Sequence, residues 1–423
     1  GVWNEGRCWE QVQEGRAAEK QPPSRNMKFL LLTLVVLSAS AATFAAPWLV
    51  PDDSATLEVH EWGTYLSCQG SDGKTLPGVH HEEEKLPNFV LTRGDSLLGA
   101  RNGMDFHPVA NSDTEVLQKM ETPVLYFYSS SPDAVEVSVN VSFPLGVTTH
   151  VYPAATVNLP AIGEVNSTSG GFTSWDISVQ PTGRSVPIPP VDESNIWAPS
   201  RRVDANYVVG AGGADRLIFY RGVGRFELGL RVTSDDHTLT AHNDADLTIP
   251  AAFILETDGL SGGRVVALGQ VQAGHSVSTP LSADGRSLSG DWLSLSEYLT
   301  RASVLLENSL QAAGLYPLEA RAMVDTWTRS YFQTPGIRVL YITPRQWVDD
   351  LLPLSMRPAP SALERVFVGR IETMLESEER LLLAAAQRSS AWPTIESRMG
   401  RFSEPWLRRL SVLAGRAGDS KTA

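Results

Sequence analysis

Two runs near the start of the chain, His60-Glu61-Trp62-Gly63-Thr64 and His80-His81-Glu82-Glu83-Glu84, gather three of the eight histidines beside a row of carboxylates. Imidazole and carboxylate together suit zinc or a similar divalent ion, which would acidify a bound water for hydrolysis. In such a site His60 and one of His80 or His81 supply nitrogen, while Glu61, Glu82 or Glu121 supplies oxygen or acts as general base. His60-Glu61 opens like the helical zinc motif HExxH. Its fifth position is Thr64, so the second imidazole of that helical face is missing and a zincin is excluded. The plainer reading of these residues makes His60 the end of a strand, Trp62 and Tyr65 core, and Glu82 to Glu84 a wet acidic loop.

Glu121 stands just before the apolar run Val124 to Tyr128, at a strand entrance where a carboxylate either faces a cleft or caps a loop. Arg221, flanked by Tyr220 and Gly222, is placed to grip a substrate carboxylate with both arms of its guanidinium, or to pair with an internal acid. Two serine patterns fail on context. Ser261, in a GxSxG run, falls in a hairpin loop rather than at a strand-to-helix elbow, and Ser71, in an SxxK run, sits on an Asp-Gly turn. No phosphate-cradling GxxxxGK[ST] loop is present.

The elements that must hold these residues change character along the chain. From about residue 55 to 285 the pattern is strand-like, and Val135 to Phe143 alternates apolar and polar residues throughout. Shorter runs at 124–128, 175–179, 217–220, 226–232, 239–242, 252–256 and 265–268 share this pattern, separated by Gly, Pro, Asn and Asp. Many short strands with no helical periodicity between them predict a mainly β fold: antiparallel sheets stacked as an immunoglobulin-like sandwich over 46–288. After about residue 290 the period lengthens. Leu295, Leu299, Ala302, Leu306 and Leu310 share one helical face that ends at Gly314, and a second helix opens at Pro317 and runs to about Tyr331. Strands at 337–342 and 365–374 and helices at 344–352 and 376–387 complete a smaller α+β, helix-dominated region over 289–423, with a helical tail at 392–417.

Residues 27–45 read as a signal peptide, because Met27-Lys28 precedes a short apolar run and then small residues; cleavage near Ala45 is expected. Residues 1–26 read as an over-extended gene start. Only Cys68 follows the leader, so no intrachain disulfide is expected, and no cysteine at the cleavage point offers a lipid anchor. The formal net charge of −13 argues against a nucleic-acid partner, and the leader is too short to remain as a membrane span. A periplasmic or secreted protein follows, acting on a cell-envelope or extracellular substrate or protein partner.

Several motifs taken together, HEWGT at 60–64, KMETPVLYFYS at 119–129, LIFYRGVG at 217–224 and EARAMVDTW at 319–327, resemble a family of exported bacterial proteins of unknown function. The likeness spans nearly the whole mature chain, through RVFVGRIE at 365–372, and implies no activity. Two functions are therefore expected to compete. One is a metal-dependent hydrolase built on His60, Glu61, His81, Glu82 and Glu121, with zinc or another divalent ion; the other is a non-catalytic envelope scaffold presenting sandwich loops to a carbohydrate or protein.

Overall fold

The computed structural model describes residues 56–79, 85–92, 116–158, 171–386 and 399–416. The leader, its cleavage point and the residues His80, His81 and Glu82 lie outside them. The longer elements of the first part are β1 (Leu57–Gln69), β2 (Gln118–Ser129), β3 (Val135–Phe143), β4 (Gly146–Tyr152), β5 (Gly171–Val179), β6 (Ile218–Gly224), β7 (Leu230–Ser234), β8 (Thr238–Asn243), β9 (Ile249–Thr257), β10 (Gly262–Val271) and β11 (Ser276–Pro280). Then follow α1 (Leu295–Ala312), α2 (Pro317–Trp327), β12 (Gly336–Ile342), α3 (Arg345–Leu351), β13 (Leu354–Arg357), β14 (Ala362–Thr373), α4 (Glu376–Ala386) and α5 (Ser403–Arg416).

The fold is mainly β, with its longer helices toward the C-terminus. Among the described residues one 11-stranded sheet dominates, and its central order is β10-β9-β12-β14-β1-β2-β6-β4. The strands on the two sides of residue 288 thus belong to one sheet: β9 pairs with β12, β12 with β14, and β14 with β1. The pairing of β14 with β1 is parallel and runs from Glu58 opposite Ala362 to Gln69 opposite Thr373. The other named strands of this sheet pair antiparallel.

Each face of the large sheet is covered. On one face α1 and α2 bury Leu306, Leu310, Met323 and Trp327 against Trp62, Tyr126, Phe219 and Val366. On the other, a six-stranded sheet containing β3, β5 and β13 packs Val139, Val141 and Trp175, together with Val348 of α3, against Val59, Leu125 and Phe367. A three-stranded sheet of β7, β8 and β11 closes over one wing, where Leu230 and Leu239 meet Ile254 and Val339. β1 is consequently buried along both sides, with only Glu58 half-buried.

An irregularity between β1 and β2 decides which polar groups reach the helical side. Trp62 faces Val124 and Thr64 faces Glu121, so two residues of β2, Thr122 and Pro123, lie opposite Gly63 alone. This bulge, with Thr122 at φ 53°, reverses the alternation of β2. After it in the chain Val124 and Tyr126 face the helices; ahead of it Met120 points to the second sheet. Gly63 is required by close approach, since a Cβ there would stand 2.6 Å from the Phe367 ring.

The helices begin as their sequence signals predict. Ser294 caps α1 by accepting from the Glu297 N–H. α2 has Pro317 in its first turn and gives way after Trp327 to a π-helical turn over Thr328–Gln333, short of the regular helix expected to Tyr331. Of the charged residues of α2, Arg321 pairs with Glu307 of α1 at 3.0 Å and Asp325 lies 4.0 Å from Arg202. Among the described residues, no helix is long and apolar enough to cross a membrane.

Candidate functional site

Neighbouring side chains on a strand point to opposite faces, so the adjacent His60 and Glu61 of β1 are separated by the sheet itself. His60 lies on the helical face and Glu61 on the face toward the second sheet. Each enters a different buried network, and a third forms around Glu121.

The His60 network is assembled by the turn between α1 and α2. Glu319 is the third residue of α2, and its Oε2 accepts the backbone N–H of Tyr316 at 2.8 Å, as a carboxylate at that position of a helix start does. The same oxygen lies 2.8 Å from His60 Nδ1, and Oε1 accepts the Tyr128 hydroxyl at 2.7 Å. Three donors thus satisfy a carboxylate with no solvent exposure. A carboxylate can only accept, so Nδ1 carries a proton, and in the neutral imidazole Nε2 presents its lone pair. Among the described residues Nε2 has no hydrogen-bond partner. The ring is 3% exposed and is wedged between Tyr316, at 4.4 Å between centroids, and Tyr128, at 5.4 Å. Burial, and then the Glu319 charge, push the Tyr128 hydroxyl upward, so it stays a neutral donor.

Glu61 has no free oxygen to offer. Its Oε1 accepts from Tyr220 at 2.5 Å and its Oε2 from Arg365 Nε at 2.5 Å, while Arg365 Nη1 reaches Asp349 at 2.9 Å. Burial works against the Arg365 charge, but the Glu61 carboxylate outweighs it and raises the guanidinium. Glu61 and Arg365 are both nearly inaccessible, and their geometry is that of a structural tie across the parallel pair.

Glu121 sits opposite Thr64, four residues along β1 from His60 and therefore about 13 Å away at the strand rise. Its Oε1 accepts from Arg401 at 2.8 Å and lies 3.8 Å from Lys119 Nζ. Burial raises its pKa, but the charges of Arg401, Lys119 and Arg370 prevail and lower it to about 2. An anion that weakly basic makes a poor proton acceptor near neutrality. Nearby, Glu372 bridges Arg338 at 2.9 Å and Arg370 at 2.7 Å, and Thr64 shares a short hydrogen bond with Tyr331. Arg221 is buried and donates to Thr122 at 3.0 Å, at the bulge.

The Glu121 network has a measurable consequence for stability. Its carboxyl is held below the ordinary 4.5, so its contribution is complete above about pH 4.5 and is lost as pH falls through about 2. Urea denaturation from pH 6 to pH 3 is expected to show falling stability, and Glu121→Gln is expected to remove a share of that slope on the order of 1 kcal/mol or more. An unchanged slope in the variant rules out this assignment.

The expected grouping of His60, Glu61 and Glu121 is therefore not brought together. Of the expected nitrogen ligands only His60 is described, with Nδ1 committed to Glu319. Among the described residues no three His, Cys, Asp or Glu side chains converge as a metal site. Ser71 is a buried donor to Glu379 at 2.7 Å, and Ser261 bonds Asp258 within its own turn at 2.5 Å. Cys68 is fully buried, and burial pushes its thiol well up, which makes it an inert core residue. An open cleft of about 820 Å³, lined by Lys85, Glu193, Arg202, Asp325 and Arg329 among others, contains none of the expected site residues. Its cations and anions include mutual partners, so the His60 network is the stronger candidate on chemical grounds.

Glu319, Tyr128 and Tyr316 were not legible as site residues from sequence. The signal available was a glutamate two residues after Pro317 at a helix start, which promises a buried or capping carboxylate but not the strand residue it meets. No family model matches the chain, and no curated protein matches it. Among solved structures the chain is similar to the yeast delta-COP-I mu-homology domain, alone and complexed with the Dsl1 WxWxV peptide; in both the identity is 7%, the match covers 75% of this chain and 96% of that chain, and the TM-score is 0.28.

Proposed function

We propose that this chain is an exported hydrolase whose general base is the imidazole of His60, oriented by Glu319. The observation that carries the reading is the 2.8 Å contact from Nδ1 to a fully buried carboxylate, with Nε2 left unbonded among the described residues. A carboxylate behind one ring nitrogen fixes the tautomer and stabilises the imidazolium that forms when the other nitrogen takes a proton. In the reaction Nε2 takes a proton from water as the water oxygen bonds to an acyl carbon. The imidazolium then returns that proton to the departing oxygen or nitrogen.

The stacked sheets act in this reading as the immunoglobulin-like support expected from the alternating strands. It also extends the resemblance to exported bacterial proteins, since His60 and Glu319 open the HEWGT and EARAMVDTW motifs. The test is a panel of acyl esters and amides offered to the unaltered protein and to His60→Gln. Hydrolysis by the first and not by the second is expected, with chelator dialysis leaving turnover unchanged. Turnover lost on chelation and restored by zinc would return the site to the metal chemistry first expected, and turnover kept in His60→Gln removes the proposal.

A further inference from the structure

The surroundings of His60 also bear on what approaches it. Glu58 and His60 are two residues apart on β1 and share a face, Glu364 of β14 is the direct neighbour of His60, and Tyr128 of β2 is the direct neighbour of Glu58. Over this row lies the turn after α1. Gly314 adopts φ +119°, and the Glu364 carboxylate comes so close to it that a Cβ would stand 3.0 Å from Oε2. Tyr316 follows, 41% exposed, its hydroxyl donating to Glu58 at 2.8 Å and its ring edge-on to Tyr128 at 5.1 Å.

The result is a lip of two tyrosine rings and two carboxylates, Glu58 and Glu364, with the buried Glu319 charge behind them, around a nearly buried imidazole whose Nε2 has no partner among the described residues. The hydroxyl of Tyr316 registers the combined field: its hydrogen bond to Glu58 first, then burial, then the charges of Glu58, Glu319 and Glu364 raise it. Among the described residues, Arg345 lies 4.0 Å from Glu364 and is shared with Asp349, which it contacts at 2.8 Å.

Three classes of occupant can be compared. An anion would meet three like charges. A metal ion needs convergent donors, which the described residues do not provide. An organic ammonium group needs aromatic faces and nearby negative charge without strict coordination geometry. We propose that this lip binds the ammonium group of a cationic organic substrate and so presents the adjoining bond to His60 Nε2. The inference rests on the hydrolytic reading for the reaction, but not for the binding.

The probe is choline, compared with 3,3-dimethyl-1-butanol, in which carbon replaces the charged nitrogen. The readout is the imidazole carbon-proton signal of His60 in the full chain, assigned by its absence from His60→Gln. Choline is expected to move that signal saturably and the neutral isostere to leave it in place. Glu58→Gln with Glu364→Gln is expected to raise the choline dissociation constant about 10-fold or more, and 1 M NaCl to weaken binding to the unaltered protein similarly. Equal shifts with the isostere, no shift with choline, or binding indifferent to salt overturns the proposal. Choline binding without hydrolysis of any acyl compound overturns the hydrolytic reading alone, whereas hydrolysis with no response to choline overturns only this one.

Discussion

Glu319→Gln lowers the hydrolytic kcat/KM by about 10²–10⁴-fold while the protein stays folded, as measured on whichever acyl substrate the unaltered chain turns over. Glutamine has one acceptor oxygen where the carboxylate has two; at the Oε2 position it still serves the Tyr316 N–H and His60 Nδ1, each 2.8 Å away in the unaltered protein, and leaves the amide NH₂ to the Tyr128 hydroxyl, which lies 2.7 Å from Oε1. The tautomer is then kept but the negative charge is lost, so the imidazolium that forms when Nε2 takes the proton from water is no longer stabilised. Because the pair acts as one unit, His60→Gln combined with Glu319→Gln is expected to be no slower than either alone. Activity preserved in Glu319→Gln, or losses that multiply in the double variant, would mean the carboxylate is only a helix cap.

The second large effect concerns folding. Arg365→Met leaves the Glu61 carboxylate, which has no exposure, with only the Tyr220 hydroxyl as partner. Stranding one member of a buried ion pair costs about 3–5 kcal/mol, and the loss is expected in urea denaturation at neutral pH. Glu61→Leu combined with Arg365→Met is expected to recover most of it, because two apolar side chains ask nothing of that interior. No recovery in the double variant would assign the damage to the Arg365 contact with Asp349 in α3 instead. His60 stands on the other face of β1, so the double variant should keep its imidazole chemistry, which separates the two networks experimentally.

The contrast between these networks shows what the sequence could and could not disclose. The strand at 135–143 was legible because one side of it is wet, so polar and apolar residues alternate, and the helix from Leu295 was legible because its buried Tyr298, Ala302, Leu306 and Leu310 keep one face. β1 offered no such signal. Covered on both sides, it carries His60, Glu61 and Thr64 into the interior, where each is satisfied by a partner far along the chain. Once a strand is assumed there, its period of two already forbids His60 and Glu61 from sharing a site. Periodicity also misleads in β2, since the extra residue at Thr122-Pro123 changes the facing of everything before it, Glu121 included. Glu319 was placed correctly in a helix, but which strand that helix would cover depends on tertiary packing alone.

The parallel seam between β1 and β14 constrains how the molecule comes into being. Among the described residues its two halves are the first long strand and the last, Glu58 meeting Ala362 across the centre of the principal sheet. About 300 residues separate the paired positions Glu58 and Ala362, and all of them must be delivered before that seam can close; until then the earlier strand has a bare edge where the later one will dock. Closing so long a loop carries an entropic cost that local contacts cannot offset early, which makes assembly of the middle of the protein a late event and leaves the incomplete chain dependent on protection from chance pairing.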